Sequence, residues 1–437
     1  MLAIGVVVVA AVFGGMVLYE GNDPPAAPAF AVVQRPRGLL YKATTAHFNE
    51  EVQRAEPENH RAAAADAFDS AVLQAGAYRY RAAVKEYRRS LKAHPTLSAE
   101  LNAGLVSLDL GELAAAEGHF RSGLERVGEG GDRGFVVAFQ LALGVVFREQ
   151  GHVDEALAAT REALEVAKAA RDLLAEAAAL GYEGNLRAAQ GDMDEALAAH
   201  EQALRLCEQL DHAVGQAVAL GNLGYVHAEK GLPNEALEWH RQAYRLAEER
   251  LGGIGQAFAL ADIGNVYRMR GQIQDALLSL GMAQRFHAEL GNTGDRAAAM
   301  DDIGDVYFRQ GQLDKALAAY ERSYRMYTQI RHAVGQAAAL SHVGNVFERQ
   351  RQLDKALEAH ERALELDTAS GHAVGRARDL GNIGNVYGRQ GRMAEALERL
   401  RTAEAIYRRV RPQGQGAQDV ARTIRRLVSP LDLSQIE

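Results

Sequence analysis

GQLDKALAAY, residues 311–320, is the stretch whose reading decides the fold, because the chain writes it again and again. GHVDEALAAT begins at 151, GDMDEALAAH at 191, GLPNEALEWH at 231, GQIQDALLSL at 271, RQLDKALEAH at 351 and GRMAEALERL at 391, so the spacing is forty residues with no insertion. GELAAAEGHF at 111 shares the register, while AYRYRAAVKEYRRSL from 77 fits only if the spacing shrinks to about thirty-three. Such self-similarity means an array of stacked units in which each unit buries its apolar face against the next.

Within a unit the apolar residues return at three- and four-residue steps, the period of an amphipathic helix. Leu220, Leu223, Gly224 and His227 share one face; a break falls at Gly231; Ala236, Leu237, His240, Ala243 and Leu246 form the next stripe. Each unit therefore reads as helix, tight turn, helix. The glycines at 111, 151, 191, 231, 271, 311 and 391 suit a left-handed helix C-cap. Arg351 stands at the same place in one unit, where either a strained side chain or a differently built turn is expected. A second row, Gly144, Gly184, Gly224, Gly264, Gly304, Gly344 and Gly384, lies twelve residues before Ala156, Ala196, Ala236, Ala276, Ala316, Ala356 and Ala396. Small residues at both points let the paired helices approach closely, with Tyr267, Tyr307, Phe347 and Tyr387 filling the remaining space.

Composition agrees with an elongated helical array of 437 residues: only 9 prolines and one tryptophan occur. The net charge of -8 offers no basic surface for nucleic acid. Cys207 is the only cysteine, which excludes an intramolecular disulfide and a cysteine metal cluster. No P-loop occurs. His200-Glu201 and His360-Glu361 begin like a zinc helix, but Leu204 and Leu364 stand where the second histidine belongs. His200, His240 and His360 share a position with Thr160, Leu280, Tyr320 and Leu400, a tolerance that means packing rather than ligation. His212, His332 and His372 open repeated HAVG turns, where a surface or capping role is expected. No enzyme activity and no cofactor is expected.

The ends differ from the array. Leu2 to Leu18 carries no charge and is just long enough to span a bilayer, so residues 1–19 read as a single-pass anchor, with a cleaved signal ending near Ala29-Phe30-Ala31 as the rival. Arg35, Arg37 and Lys42 follow it, which favours a cytoplasmic array. Residues 20–61 read as linker and lead-in, 62–412 as the array, 413–428 as one amphipathic capping helix and 429–437 as a flexible tail.

The pattern of apolar residue, Leu/Ile/Val-Gly, an aromatic three residues on, Ala twelve after the Gly, an aromatic or His four further and Ala or Ser three beyond resembles the tetratricopeptide repeat family. Leu220, Leu223, Gly224, His227, Ala236, His240 and Ala243 match it in one unit, and Met300, Ile303, Gly304, Tyr307, Ala316, Tyr320 and Ser323 in another. The forty-residue period is similar to the long-helix subgroup of spindle-orientation adaptors and kinesin light chains. Arg187 departs from the pattern where an aromatic belongs. The resemblance implies an all-α fold, a right-handed α-solenoid of about nine antiparallel helix pairs with a C-terminal capping helix. It further implies a protein or peptide partner held along the inner helices.

On that inner face one polar row follows the packing glycine: Asn185, Tyr225, Asn265, Asp305, Asn345 and Asn385. One turn further stand Ala189, Glu229, Met269, Arg309, Arg349 and Arg389, and a third row holds Asn222, Asp262, Asp302, His342 and Asn382. Asparagine can donate and accept to a peptide backbone and arginine can grip a carboxylate. The candidate contacts are Asn185, Asn222, Asn265, Asp305, Arg309, Asn345, Arg349, Asn382, Asn385 and Arg389. The alternative is that these asparagines fix the stacking of neighbouring repeats. Between Arg376 and Arg426 arginines outnumber acids, which points to an acidic ligand at that end, with anionic lipid as its rival. Self-association through the convex face or the ends is a further expectation.

Overall fold

The computed structural model describes residues 30–35, 38–43, 48, 58–76, 80–110, 112–128, 131–410 and 415–428. Nineteen helices and one two-stranded hairpin occur among them. The hairpin is β1 (Phe30–Arg35) against β2 (Gly38–Ala43), antiparallel, with Phe30 opposite Ala43 and Arg35 opposite Gly38. The helices follow as α1 (Glu58–Gly76), α2 (Tyr80–Ala93), α3 (Leu97–Asp109), α4 (Leu113–Val127), α5 (Arg133–Gln150) and α6 (Val153–Ala170). Next come α7 (Leu173–Gln190), α8 (Met193–Gln209), α9 (Ala213–Glu229), α10 (Pro233–Arg250), α11 (Gly253–Met269) and α12 (Ile273–Glu289). Then α13 (Thr293–Arg309), α14 (Leu313–Ile330), α15 (Ala333–Arg349), α16 (Leu353–Ser370), α17 (Ala373–Arg389), α18 (Met393–Val410) and α19 (Gln415–Val428) complete the described chain.

Consecutive helices pack as nine antiparallel pairs, α1 with α2 through α17 with α18, and α19 caps the last pair. The fold is an all-α solenoid. From the second pair on, the first member of each pair also touches the first member of the next: α3 meets α5, α5 meets α7, and so on to α15 with α17. These inner helices therefore form the crowded, concave side. Curvature accumulates until α17 touches α5, so the array returns upon itself.

Local chemistry explains the boundaries. Gly151, Gly191, Gly231, Gly271, Gly311 and Gly391 take positive φ at the turn inside a pair, and Arg351 does so at φ 61°. Their N–H groups bond the carbonyl three residues back, as in Gly151 to Arg148 at 3.0 Å, and the next N–H reaches the fifth, as in His152 to Phe147 at 2.7 Å. At the turns between pairs, the Nδ1 atoms of His212 and His332 accept from the Gly215 and Gly335 N–H groups at 3.0 and 2.8 Å. The HAVG histidines at 212 and 332 are helix caps.

The second glycine row has a partner that spacing alone does not reveal. All seven alanines at 156 through 396 are fully buried, yet the side chain over each glycine comes from sixteen residues on. A Cβ on Gly144 would sit 2.9 Å from Thr160 Oγ1; on Gly184, 2.6 Å from the His200 ring; on Gly264, 2.7 Å from Leu280; on Gly384, 2.7 Å from Leu400. Gly104 under Phe120 extends the register into the shorter units. Arg187 replaces the expected aromatic with an ionic cluster, 3.9 Å from Glu183, 3.5 Å from Asp192 and 3.8 Å from Glu195.

The membrane-anchored, single-pass localisation expected from residues 2–18 is corrected. Among the described residues no helix is long and apolar enough to cross a membrane, and residues 2–18 lie outside them. The apolar helix α5 buries most of its residues from Phe135 to Phe147 against neighbouring helices, which is a core role rather than a lipid-facing one. The tail at 429–437 also lies outside the described residues. Within the expected linker, Phe30–Arg35 and Gly38–Ala43 pair as the hairpin, which lies against α3, α5, α7 and α9 on the inner side of the array.

Candidate functional site

The inner helices enclose a cavity of about 950 Å3, near the upper end of the roughly 300–1,000 Å3 typical of ligand sites. Its wall runs through α5, α7, α9, α11 and α13, and Val374 of α17, Tyr407 of α18 and Gln418 of α19 close it from the far end of the chain. That closure follows from the contact of α17 with α5, where His372 Nε2 stands 3.6 Å from Glu149 Oε2.

Helix geometry places the polar rows. At about 100° per residue, the position after the packing glycine and the position two before it stand about 60° apart, both turned away from the paired helix. Asn185, Tyr225 and Asn265 of the first row, Asn222, Asp262 and Asp302 of the other, and Glu229 one turn on all line the cavity. Glu149 is the equivalent of Glu229 two repeats earlier, so the same spacing rule reaches it; it holds Arg148, whose guanidinium donates to it at 2.6 and 3.0 Å.

The asparagines divide into two kinds. Asn265 Nδ2 donates to Asp302 Oδ2 of the next repeat at 3.2 Å, and Asn265 Oδ1 accepts from Arg268 Nε at 3.1 Å. Asn382 Nδ2 donates to Ser341 Oγ of the preceding repeat at 3.1 Å, and Ser341 donates onward to Asp379 at 2.8 Å. These two fix stacking. Asn222 differs: it is only 1% exposed, it lines the cavity, and its Nδ2 has no hydrogen-bond partner among the described residues. A buried amide left without a partner costs on the order of 1–3 kcal/mol, so an acceptor at that point would be favoured. Asn185 is buried on the same wall.

The C-terminal candidates meet other partners. Asp305 accepts from the Tyr320 hydroxyl at 2.6 Å and lies 3.8 Å from Arg268 of the preceding repeat. Arg349 stacks over the Phe308 ring at 5.1 Å. Arg389 reaches the Glu348 carboxylate and its backbone carbonyl, both at 3.4 Å. Arg309 is exposed, and Asn345 and Asn385 are half-buried on the inner helices. None of these seven C-terminal candidates, Asp305, Arg309, Asn345, Arg349, Asn382, Asn385 and Arg389, lines the 950 Å3 cavity.

Charge is also redistributed relative to the sequence. Arg378 pairs with Asp379 at 3.1 Å and Asp367 at 3.3 Å, Arg408 with Glu404 at 2.8 Å and Arg422 with Asp419 at 3.5 Å. Much of the C-terminal basic excess is thus neutralised internally. Among the described residues the cavity holds Glu149, Glu229, Asp262, Asp295 and Asp302 against the single guanidinium of Arg148. Burial, reinforced by the nearby Asp305 and Asp262 carboxylates, pushes the Asp302 carboxyl up to about 7, although Asn265 and Arg268 oppose the shift.

The histidines that suggested a zinc helix are interior packing groups: His200 and His360 are fully buried under Gly184 and Gly344. Burial lowers the His200 imidazole to about 4.

The chain belongs to the tetratricopeptide repeat family. Tetratricopeptide repeat profiles match residues 68–130 and 138–211, and a second such profile matches 175–249, 219–286, 256–329 and 335–409. No curated protein matches the chain. Solved structures similar to it include BtubC (BKLC) from P. vanneervenii, at 16% identity and TM-score 0.42 over 49% of this chain and 90% of that one. A Rap protein complexed with Competence and Sporulation Factor is similar at 14% identity and TM-score 0.48, over 77% of this chain and 98% of that one. The kinesin light chain repeats of Podosopora anserina are similar at 18% identity and TM-score 0.36, over 44% of this chain and 94% of that one. Proteins of the family are generally non-enzymatic scaffolds that bind protein or peptide partners, and this chain is a protein-interaction scaffold.

Proposed function

We propose that the protein is a non-enzymatic adaptor that captures an extended peptide segment of a partner in the cavity along α7, α9, α11 and α13. The observation that carries this reading is Asn222, a buried residue that lines the cavity and whose Nδ2 donor is unused among the described residues. Asn185 and Asn265 flank it from the neighbouring repeats. A peptide carbonyl is the complement of such a donor, and successive repeats offer successive contacts to an extended backbone. Asp305, Arg309, Asn345, Arg349, Asn382, Asn385 and Arg389 continue the inner face towards the C-terminus as a secondary track.

The test compares the full chain with an Asn185→Ala/Asn222→Ala variant in binding a pooled library of labelled, extended peptides. Binding lost by the variant with an unchanged melting curve is the expected result. Binding that survives both substitutions sinks the proposal.

One observation favours a related reading, a receptor whose coil tightens around a small signalling peptide. The contact between α17 and α5, with His372 beside Glu149, would be the element that opens and closes. Solution scattering of the full chain with and without bound peptide separates the two. A changed radius of gyration supports the receptor, and an unchanged one leaves the static adaptor.

A further inference from the structure

We infer that the cavity selects a peptide segment bearing basic side chains, lysine or arginine, rather than the acidic ligand suggested by the arginine-rich C-terminal sequence. The inference rests on the peptide-capture reading and adds the chemical class of the ligand.

Two independent observations converge. The first is charge: among the described residues five carboxylates line the cavity, and the one guanidinium there, Arg148, is already bound to one of them, Glu149. Glu229, Asp262 and Asp302 come from three successive inner helices, so negative charge runs along the cavity rather than gathering at one point. A concave wall of one sign focuses the field and concentrates ligands of the opposite sign. The second is Asn222, whose buried Nδ2 has no partner among the described residues and would be satisfied by an acceptor brought to that wall. A free cation supplies no acceptor; a peptide supplies both a carbonyl and a cationic side chain.

Other occupants fit less well. Among the described residues no group of three or more histidine, cysteine or acidic side chains could hold a metal ion. A nucleic acid would bring phosphates against carboxylates. Burial chiefly, with Asp305 and Asp262 nearby, raises the affinity of Asp302 for its proton against the opposing pull of Asn265 and Arg268. Arg268 also bonds Asn265 and stands beside Asp305, so a cationic side chain entering the cavity would favour the ionised carboxylate.

The experiment uses the full chain and three pools of labelled heptapeptides, randomised over uncharged residues and carrying lysine, glutamate or glutamine at the third and fifth positions. Fluorescence anisotropy is expected to show the lysine pool binding about tenfold more tightly than the glutamine pool, with the glutamate pool weakest. An Asp262→Asn/Asp302→Asn variant should abolish that preference while still binding the glutamine pool. Folding of this variant is supported by the array itself, which places Asn222 and Asn382 at the equivalent positions. Asn222→Ala should weaken the lysine and glutamine pools alike. Equal binding of the lysine and glutamine pools by the unaltered chain overturns the charge inference and leaves peptide capture standing. Binding of no pool overturns both. Displacement of the lysine pool by spermidine at equal concentration would show a site for free polycations and would also overturn the inference.

Discussion

Gly304 lies directly under the ring of Tyr320, so that a Cβ placed on the glycine would come within 2.5 Å of ring atom Cε1. Tyr320 cannot swing aside, because it is buried and its hydroxyl is held by Asp305 at 2.6 Å. The same contact, with His, Leu, Thr or Phe above the glycine, recurs down the array and is what allows each pair of helices to close.

Substitution of Gly304 tests this directly. Alanine gains about 1 kcal/mol of helix propensity, but overpacking costs about 1–3 kcal/mol, so Gly304→Ala should be destabilising and Gly304→Leu more so. Gly281, in the middle of α12, has nothing within 4 Å of its notional Cβ. Gly281→Ala should therefore stabilise by about 0.5–1 kcal/mol. Denaturant unfolding of the two alanine variants checks the contrast. Equal effects at both sites would refute the packing role of Gly304.

His200 governs part of the acid response. Its folded imidazole is lowered from 6.5 to about 4 by burial. Between those values the unfolded chain binds a proton that the folded chain does not, so stability falls as pH drops from 6.5 towards 4. At pH 5 the loss is about 2 kcal/mol for this one residue. Leu280 and Leu400 occupy the equivalent place fully buried, so His200→Leu should fold well. Melting curves at pH 7.5 and pH 5 should show the variant gaining about 2 kcal/mol over the parent only at the lower pH. The opposite pH dependence would show that His200 is charged in the fold.

Arg351 occupies a left-handed turn at φ 61° that glycine fills at six equivalent positions. A side chain there costs about 1–2 kcal/mol, partly offset by the greater entropy of glycine in the unfolded chain. Arg351→Gly should raise stability by about 0.5–1 kcal/mol, read as a higher midpoint in urea with an unchanged slope.

The stacking asparagines show where sequence reasoning stops. Asn222, Asn265 and Asn382 are the same residue type on the same helical face, and spacing treats them alike. Only the neighbours distinguish them: Asp302 captures Asn265, Ser341 captures Asn382, and among the described residues nothing captures the Nδ2 of Asn222. Likewise the arginines of the last repeats read as free positive charge until Asp367, Asp379 and Glu348 are found beside them. The hairpin of Phe30–Arg35 and Gly38–Ala43 had no periodic signal, because so short a segment owes its place to the helices it lies against rather than to its own pattern.

The forty-residue period, the helix pairs, the glycine turns, the packing role of His200 and the family itself were determined by sequence alone. Each depends on residues close along the chain, where helix geometry converts spacing into position. Tertiary structure decided which side chain covers each glycine, which asparagines are already engaged, and that α17 comes back to α5 to bring Tyr407 and Gln418 to the cavity of Arg148. Those outcomes depend on small rotations between neighbouring repeats, which add up over the whole array and are set by packing that no single unit contains.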